Sequence, residues 1–191
     1  MTELWLVRHG QTDWNLEGRF QGQTDIPLNE EGISQARTLA AELNHEKQFD
    51  AVYSSDLKRA YRTAEIITQG KGLAIQVDTR LREVCQGEWE GMLFQDVVDS
   101  YRGEWDNRRT NPENTRPPGG ESVAEVAARM MAAADQIACE YPRGRVLVVS
   151  HGMALAALLC KSREIPISQV YSHILKNAHP EIVIWPVAGI P

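Results

Sequence analysis

The sequence predicts an α/β fold: a three-layer sandwich with a mostly parallel central sheet and a short helical cap. Three observations carry the prediction. Short, nearly continuous apolar runs at 3–7 (Glu-Leu-Trp-Leu-Val) and 145–149 (Arg-Val-Leu-Val-Val) have the length and composition of strands buried on both faces. Segments with helical periodicity alternate with strand-like runs along the chain, an order that favours parallel pairing through helical crossovers. Both apolar runs also end alike: Leu6-Val7-Arg8-His9-Gly10 is echoed by Val148-Val149-Ser150-His151-Gly152. In an open α/β sheet ligands sit beyond the carboxyl ends of the strands, so neighbouring strands would bring both histidines to one crevice.

The elements follow in order. Residues 8–28 show no helical period and read as a long loop, a feature that is often functional in a compact domain. Residues 30–47 read as a helix with Ile33, Ala36, Leu39, Ala40 and Leu43 on one face, Asn29 as its cap, and Glu30 and Glu31 at its positive end. A brief strand at 50–54 leads to a helix at 56–69, with Leu57, Ala60, Ala64 and Ile67 inward and Ser55 or Asp56 as cap. A strand follows at 74–78. One or two short helices fit 92–109, and the Pro-, Gly- and Asn-rich stretch 111–120 is irregular. Ser122-Val-Ala-Glu125 is a capping box opening a helix through Val126, Ala127, Met130, Ala134 and Ile137. Residues 153–162 are helical, and 181–187 form a last strand. The reading is one domain over 1–191 with a cap inserted at about 92–120.

Composition narrows the function. The net charge of -6 argues against nucleic acid as the main partner. No apolar run approaches the roughly 20 residues of a membrane span, and the first residues do not read as a signal peptide, so the expected setting is cytoplasmic. Cys85, Cys139 and Cys160 are odd in number and widely spaced. They support neither a zinc site nor a redox motif and are read as free, mostly buried thiols. No metal or cofactor is expected.

The chemistry lies at the strand ends. His9 is a competent nucleophile toward phosphorus if one ring nitrogen is free. Gly10 lets backbone approach an anion, and Arg8 offers a fork of donors to phosphate oxygens. Ser54-Ser55-Asp56-Leu57-Lys58-Arg59 sits at a strand-to-helix junction, where anions are favoured. Arg59 and Arg62, three apart, share a helix face. A carboxyl group desolvated near phosphate holds its proton more tightly and suits a general acid. Glu83 is the candidate, ahead of Glu88 and Glu90. His151 supplies a second imidazole for a phosphoryl oxygen. Each residue alone has an ordinary structural reading. Together they form the nucleophile, proton donor and cationic cradle that in-line phosphoryl transfer needs without a metal.

The motifs also resemble a known family. Leu6-Val-Arg-His-Gly-Gln-Thr-Asp-Trp-Asn15, Gln21-Gly22-Gln-Thr-Asp25, Ser54 through Ala64, Leu81-Arg-Glu83 with Gly87, Trp89, Glu90 and Gly91, Gly119-Gly120-Glu121-Ser122 and Val149-Ser-His-Gly152 are similar, in order, to the motifs of the histidine phosphatase superfamily, in its phosphoglycerate mutase-like branch. The resemblance spans about 4 to 160. It implies a phosphohistidine on His9 and a phosphoryl grip by Arg8, Arg59 and His151, with Asn15, Gln21, Gly22, Arg62 and Gly152 as further substrate contacts. Glu83 would be the proton donor. Two departures stand out. Gln11 replaces a common Glu, removing a negative charge near the pocket. Lys176-Asn-Ala-His-Pro180 matches less well, and Pro180 breaks the usual extended run.

The family reading leaves a phosphatase, a mutase and a non-catalytic binder open. The short cap favours hydrolysis, since mutases of this type carry longer covering segments and must shield the intermediate from water. The expected substrate is a small phosphorylated metabolite, with no nucleic acid or membrane partner and a homodimer left open. Trp14, Phe20 and Trp105 are candidate apolar walls. Any of Arg102, Arg108, Arg109 and Arg116 is a candidate for a substrate carboxylate; an aromatic pocket for a nucleoside-like leaving group is the other reading.

Overall fold

In the computed structural model, which describes residues 1–44 and 48–186, a five-stranded sheet runs in the order β3-β2-β4-β1-β5. Strands β1 (Thr2–Arg8), β2 (Ala51–Ser54), β3 (Ile75–Val77) and β4 (Arg145–Ser150) are parallel, and β5 (Pro180–Trp185) is antiparallel at the edge. Helices α2 (Glu30–Asn44) and α3 (Lys58–Thr68) cover one face, and α6 (Val123–Glu140) and α7 (Gly152–Ser162) the other. The continuous apolar runs explain the layering. Leu4 and Leu6 of β1 pack with Val146 and Val148 of β4 on the α6–α7 side, while Trp5, Val7, Leu147 and Val149 face α2 and α3. Successive side chains point to opposite faces, so a strand covered on both sides has no polar alternation.

The capping signals are met at two helices. Ser122 and Glu125 close the capping box of α6, with Glu125 N–H on Ser122 Oγ (3.3 Å) and Ser122 N–H on Glu125 Oε2 (2.9 Å). At α2, Asn29 Oδ1 accepts from Gly32 N–H (2.9 Å). Three expectations are corrected. The stretch 8–28 holds a short helix, α1 (Asp13–Glu17), closed by a capping box between Thr12 and Asn15. Neither Ser55 nor Asp56 caps α3, whose N-cap is Leu57 with no side-chain bond. Asp56 is instead taken by the Arg82 guanidinium, whose Nε lies 2.7 Å from Oδ1. That partner holds the Asp56 carboxyl below its ordinary range. Of the cysteines, all free, only Cys160 is buried; Cys139 is exposed.

Pro180 does not interrupt pairing. It opens β5 opposite Val7, at a strand start on a sheet edge where a missing N–H is tolerated. The expected ends of α2 at 45–47 and of β5 at 187 lie outside the described residues. Helices α4 (Phe94–Ser100) and α5 (Arg102–Thr110) fill the region expected to hold one or two short helices. No helix among the described residues is long and apolar enough to cross a membrane.

Candidate active site

The central pairing decides the site. β1 and β4 are hydrogen-bonded neighbours in register, with Val7 opposite Val149 and Arg8 opposite Ser150. His9 N–H extends that ladder to Ser150 O (3.0 Å). The two strand-end histidines therefore meet, with ring centroids 5.1 Å apart. Both are buried. His9 Nδ1 lies 2.6 Å from Gly10 O. A carbonyl only accepts, so Nδ1 carries the proton and Nε2 keeps its lone pair. Burial, then the charges of Arg59 and Arg8, push the His9 pKa well below its ordinary value. Burial and Arg59 do the same to His151, whose two ring nitrogens have no hydrogen-bond partner in the protein. Both imidazoles are neutral at neutral pH.

Around them stand the cations. Arg59, in the first turn of α3, is fully buried. It donates from Nη1 to Thr24 O and from Nη2 to Gly22 O, both at 2.7 Å. Burial lowers its pKa to about 10, opposed by Glu83, Asp25 and Glu90. Arg8 donates from Nη1 to Leu175 O (2.9 Å). The Nε atoms of both arginines are buried without a partner. Glu83 caps the other side: its carboxylate accepts from Met153 N–H (3.1 Å) and Ala154 N–H (3.0 Å) in the first turn of α7, and from Val84 N–H (2.9 Å). The peptide behind Glu83 is held by Arg129 of α6, which donates to Arg80 O (2.7 Å), Arg82 O (2.5 Å) and Glu83 O (2.9 Å) and pairs with Glu121.

Arg8, His9, Arg59 and Glu83 line a cleft of about 260 Å³ together with Asn15, Gln21, Gly22 and Gly152, with His151 buried behind His9. Gly152 leaves room for Arg8, since a Cβ there would lie 3.3 Å from Arg8 Nε and 3.1 Å from Ile174 Cγ2. Asn15 spends its carboxamide oxygen on the Thr12 cap (3.1 Å from Thr12 N–H), which leaves its NH2 end as the donor. Arg62 is a correction: it is exposed, pairs with Glu65 (3.2 Å) and lies outside the cleft. Three residues past Arg59, it is most of a turn further from the strand ends. Gly10 is another. Its N–H donates to Thr63 Oγ1 (3.1 Å), and a Cβ would strike Gly32 O at 2.3 Å. Gly10 is small because two backbones touch there, not because an anion approaches. Gln11 also stands away from the cleft, accepting from Asn29 Nδ2 (3.1 Å).

Glu90 and Glu88 have structural partners. Glu90 accepts from Gln23 N–H, Gln86 N–H and Thr24 Oγ1, and Glu88 from the Tyr101 hydroxyl. Of the candidate apolar walls, Phe20 and Trp105 line the cleft, joined by Phe94, while Trp14 packs against Gly91 instead. Among the four candidate arginines, Arg108 alone is buried. It donates from Nη1 to Thr115 O (2.8 Å) and Glu121 O (3.0 Å). Its Nη2 is buried without a partner and the residue lines the cleft. Sequence reasoning also missed Gln86 and Tyr171 in the cleft wall. Among the described residues no group of three or more His, Cys, Asp or Glu is placed to hold a metal ion.

Comparison with known proteins agrees with this arrangement. A family model for the histidine phosphatase superfamily (branch 1) matches residues 4–186. The chain belongs to that superfamily and is a phosphomonoesterase-type enzyme of it. It is 35% identical over 183 residues to phosphoserine phosphatase 1 of Hydrogenobacter thermophilus, covering 96% of this chain and 86% of that protein. It is 42% identical over 161 residues to the probable phosphoglycerate mutase GpmB of Yersinia pestis, covering 83% and 74%. Among solved structures, a mycobacterial glucosyl-3-phosphoglycerate phosphatase in complex with VO3 superposes with a TM-score of 0.83 at 34% identity, over 97% of this chain and 99% of that one.

Proposed function

We propose that the protein hydrolyses a small carboxylate-bearing phosphomonoester through a phosphohistidine on His9. The observation that carries this reading is the His9 ring, neutral and fixed by Gly10 O with Nε2 free, set among the buried Arg59, the half-buried Arg8 and a second neutral imidazole. His9 Nε2 attacks phosphorus as the bond to the leaving oxygen breaks, and Glu83 gives that oxygen its proton. Arg8, Arg59 and an N–H of His151 hold the phosphoryl oxygens as charge shifts onto them. In the second half, water attacks the phosphohistidine, Glu83 takes the water's proton, and the P–N bond breaks to return neutral His9 and inorganic phosphate. Asn15, Gly22 and Gly152 complete the phosphoryl cradle.

The leaving group lies toward residues 92–120, the segment we propose as a cap within a single domain. There the unpartnered Arg108 Nη2 matches a substrate carboxylate, and Phe20, Phe94 and Trp105 supply an apolar wall. The cleft suits a small metabolite. Three free thiols fit a reducing compartment, so the cytoplasmic setting belongs to the same proposal. The identity to a probable phosphoglycerate mutase supports a second reading, return of the phosphoryl group to a sugar-acid hydroxyl. Two assays decide. An aryl phosphate should be hydrolysed undiminished in a chelator, and loss of turnover there contradicts the metal-free mechanism. With 3-phosphoglycerate and its bisphosphate, release of inorganic phosphate should outrun formation of 2-phosphoglycerate; the reverse order favours the mutase.

A further inference from the structure

Lys176-Asn177-Ala178-His179, ahead of β5, is the stretch in which the sequence departs from the family pattern, and it takes no part in the phosphoryl chemistry. It does grip the backbone of the nucleophile. Asn177 donates from Nδ2 to His9 O (2.8 Å). A carbonyl only accepts, so this bond fixes the Asn177 amide with its NH2 end toward His9. Ala178 N–H donates to Arg8 O (2.9 Å), and Arg8 Nη1 donates to Leu175 O (2.9 Å). The turn that allows these bonds is strained: Ala178 has a φ of +48°, in the left-handed region that a residue with a Cβ seldom adopts. The β1–β5 ladder stops at Pro180 opposite Val7, so a side chain, not a strand, meets the His9 carbonyl.

The peptide between His9 and Gly10 is thereby held at both ends. Asn177 takes its carbonyl, and the buried Thr63 Oγ1 accepts its N–H (3.1 Å). Packing against Gly32 forbids a Cβ at Gly10, and a residue without one leaves its peptides unusually free to turn. The two side chains remove that freedom. They fix in turn the Gly10 carbonyl, 2.6 Å from His9 Nδ1, and with it the direction of Nε2. Asn177 itself is half-buried and does not line the cleft. It lines a second cavity of about 260 Å³ between α2 and residues 176–179. Any effect of its side chain on turnover must therefore pass through the His9 backbone. We infer that Asn177 is a positioning residue for the nucleophile: its amide holds the His9–Gly10 peptide so that Nε2 stands in line with the phosphorus–oxygen bond that breaks. This inference rests on the hydrolytic reading, in which His9 attacks phosphorus.

Asn177→Ala and Asn177→Asp test it, assayed at neutral pH on an aryl phosphate with inorganic phosphate as competing inhibitor. Truncation to Ala opens onto the second cavity and leaves no sealed void. Asp keeps the shape of the side chain but sets an oxygen against His9 O. In both variants kcat should fall by about tenfold or more, while KM and the inhibition constant of phosphate stay within about twofold, because the arginine grip is intact and only the attack is misaligned. Wild-type kcat in Asn177→Asp makes shape, not the donor, the property that matters and overturns the inference. Unchanged kcat in Asn177→Ala overturns it too. So does a rise in KM and in the phosphate constant that accounts for the whole loss of kcat/KM, since the stretch would then act by holding Arg8. If Asn177→Ala does not fold, Asn177→Asp decides alone. Loss of folding in both, read by thermal unfolding, makes Asn177 purely structural and overturns the inference. Absence of turnover by the wild-type enzyme overturns the hydrolytic reading instead.

Discussion

Gly10→Ala separates packing from anion binding at the residue beside the nucleophile. An added Cβ would sit 2.3 Å from Gly32 O and 2.9 Å from Gly32 C and Cα. Carbon atoms of this kind rarely approach below 3.0 Å, so about 0.7 Å of displacement must be found between two backbones, with no flexible side chain to yield. Overpacking of this kind costs about 1–3 kcal/mol, or roughly 2–12 °C of melting temperature for a chain of this length. The displacement also reaches chemistry, because the Gly10 carbonyl fixes the His9 tautomer and the Gly10 N–H is anchored on Thr63. Misplacement of reacting groups by about 1 Å costs on the order of 100-fold. Thermal unfolding and steady-state kinetics on an aryl phosphate should show a lower melting temperature and a kcat reduced by roughly 10- to 100-fold, with little change in KM. A variant with wild-type stability and turnover refutes the steric argument. One that changes only KM restores the reading in which Gly10 makes room for an anion.

Other expectations follow from the same geometry. Gly103→Ala, in the helix α5 with open space around the new methyl group, should raise stability by about 0.5–1 kcal/mol without altering turnover; a fall in melting temperature contradicts it. Arg108→Met should lower kcat/KM for a carboxylate-bearing phosphoester by about tenfold more than for an aryl phosphate; equal losses on both remove Arg108 from carboxylate recognition. Because burial and the two arginines hold His9 well below its ordinary pKa, kcat/KM should show no His9 protonation limb between pH 7 and 6. Arg59→Met removes one of the charges opposing imidazolium, so that limb should move to higher pH, and an unmoved or lowered limb counts against the coupling. The same depression governs stability. The unfolded chain protonates His9 and His151 below about pH 6.5 while the folded chain does not. Stability is therefore full above 6.5 and should fall as pH drops below it, by up to about 1.4 kcal/mol per pH unit for each histidine; flat melting temperatures from pH 7 to 5 would contradict burial of neutral rings.

The parts legible in the sequence are those with local causes. β1 and β4 announce themselves because strands covered on both faces carry no polar alternation, and α6 because its capping box precedes a clean apolar period. The shared His-Gly ending placed His9 and His151 together once the strands were neighbours. What escaped depends on distant partners. Asp56 has the chemistry of a cap, but an arginine 26 residues away claims it. Arg102, Arg108, Arg109 and Arg116 look alike in sequence, and only the docking of α5 under the 115–121 backbone buries one of them. The five residues of α1 are too few to show a period; their legible signal was Thr12 and Asn15 at capping spacing. Arg129 gave no local sign of its task, which is to gather three carbonyls from the Glu83 loop.

The central claim is that His9 Nε2 becomes covalently phosphorylated. Rapid acid-free quenching of the enzyme during turnover of a labelled phosphomonoester, followed by peptide mapping, tests it directly. The account predicts near-stoichiometric label on the peptide containing His9, lost on mild acid treatment and absent in His9→Ala. Label on any other residue, or label that persists in His9→Ala, contradicts it.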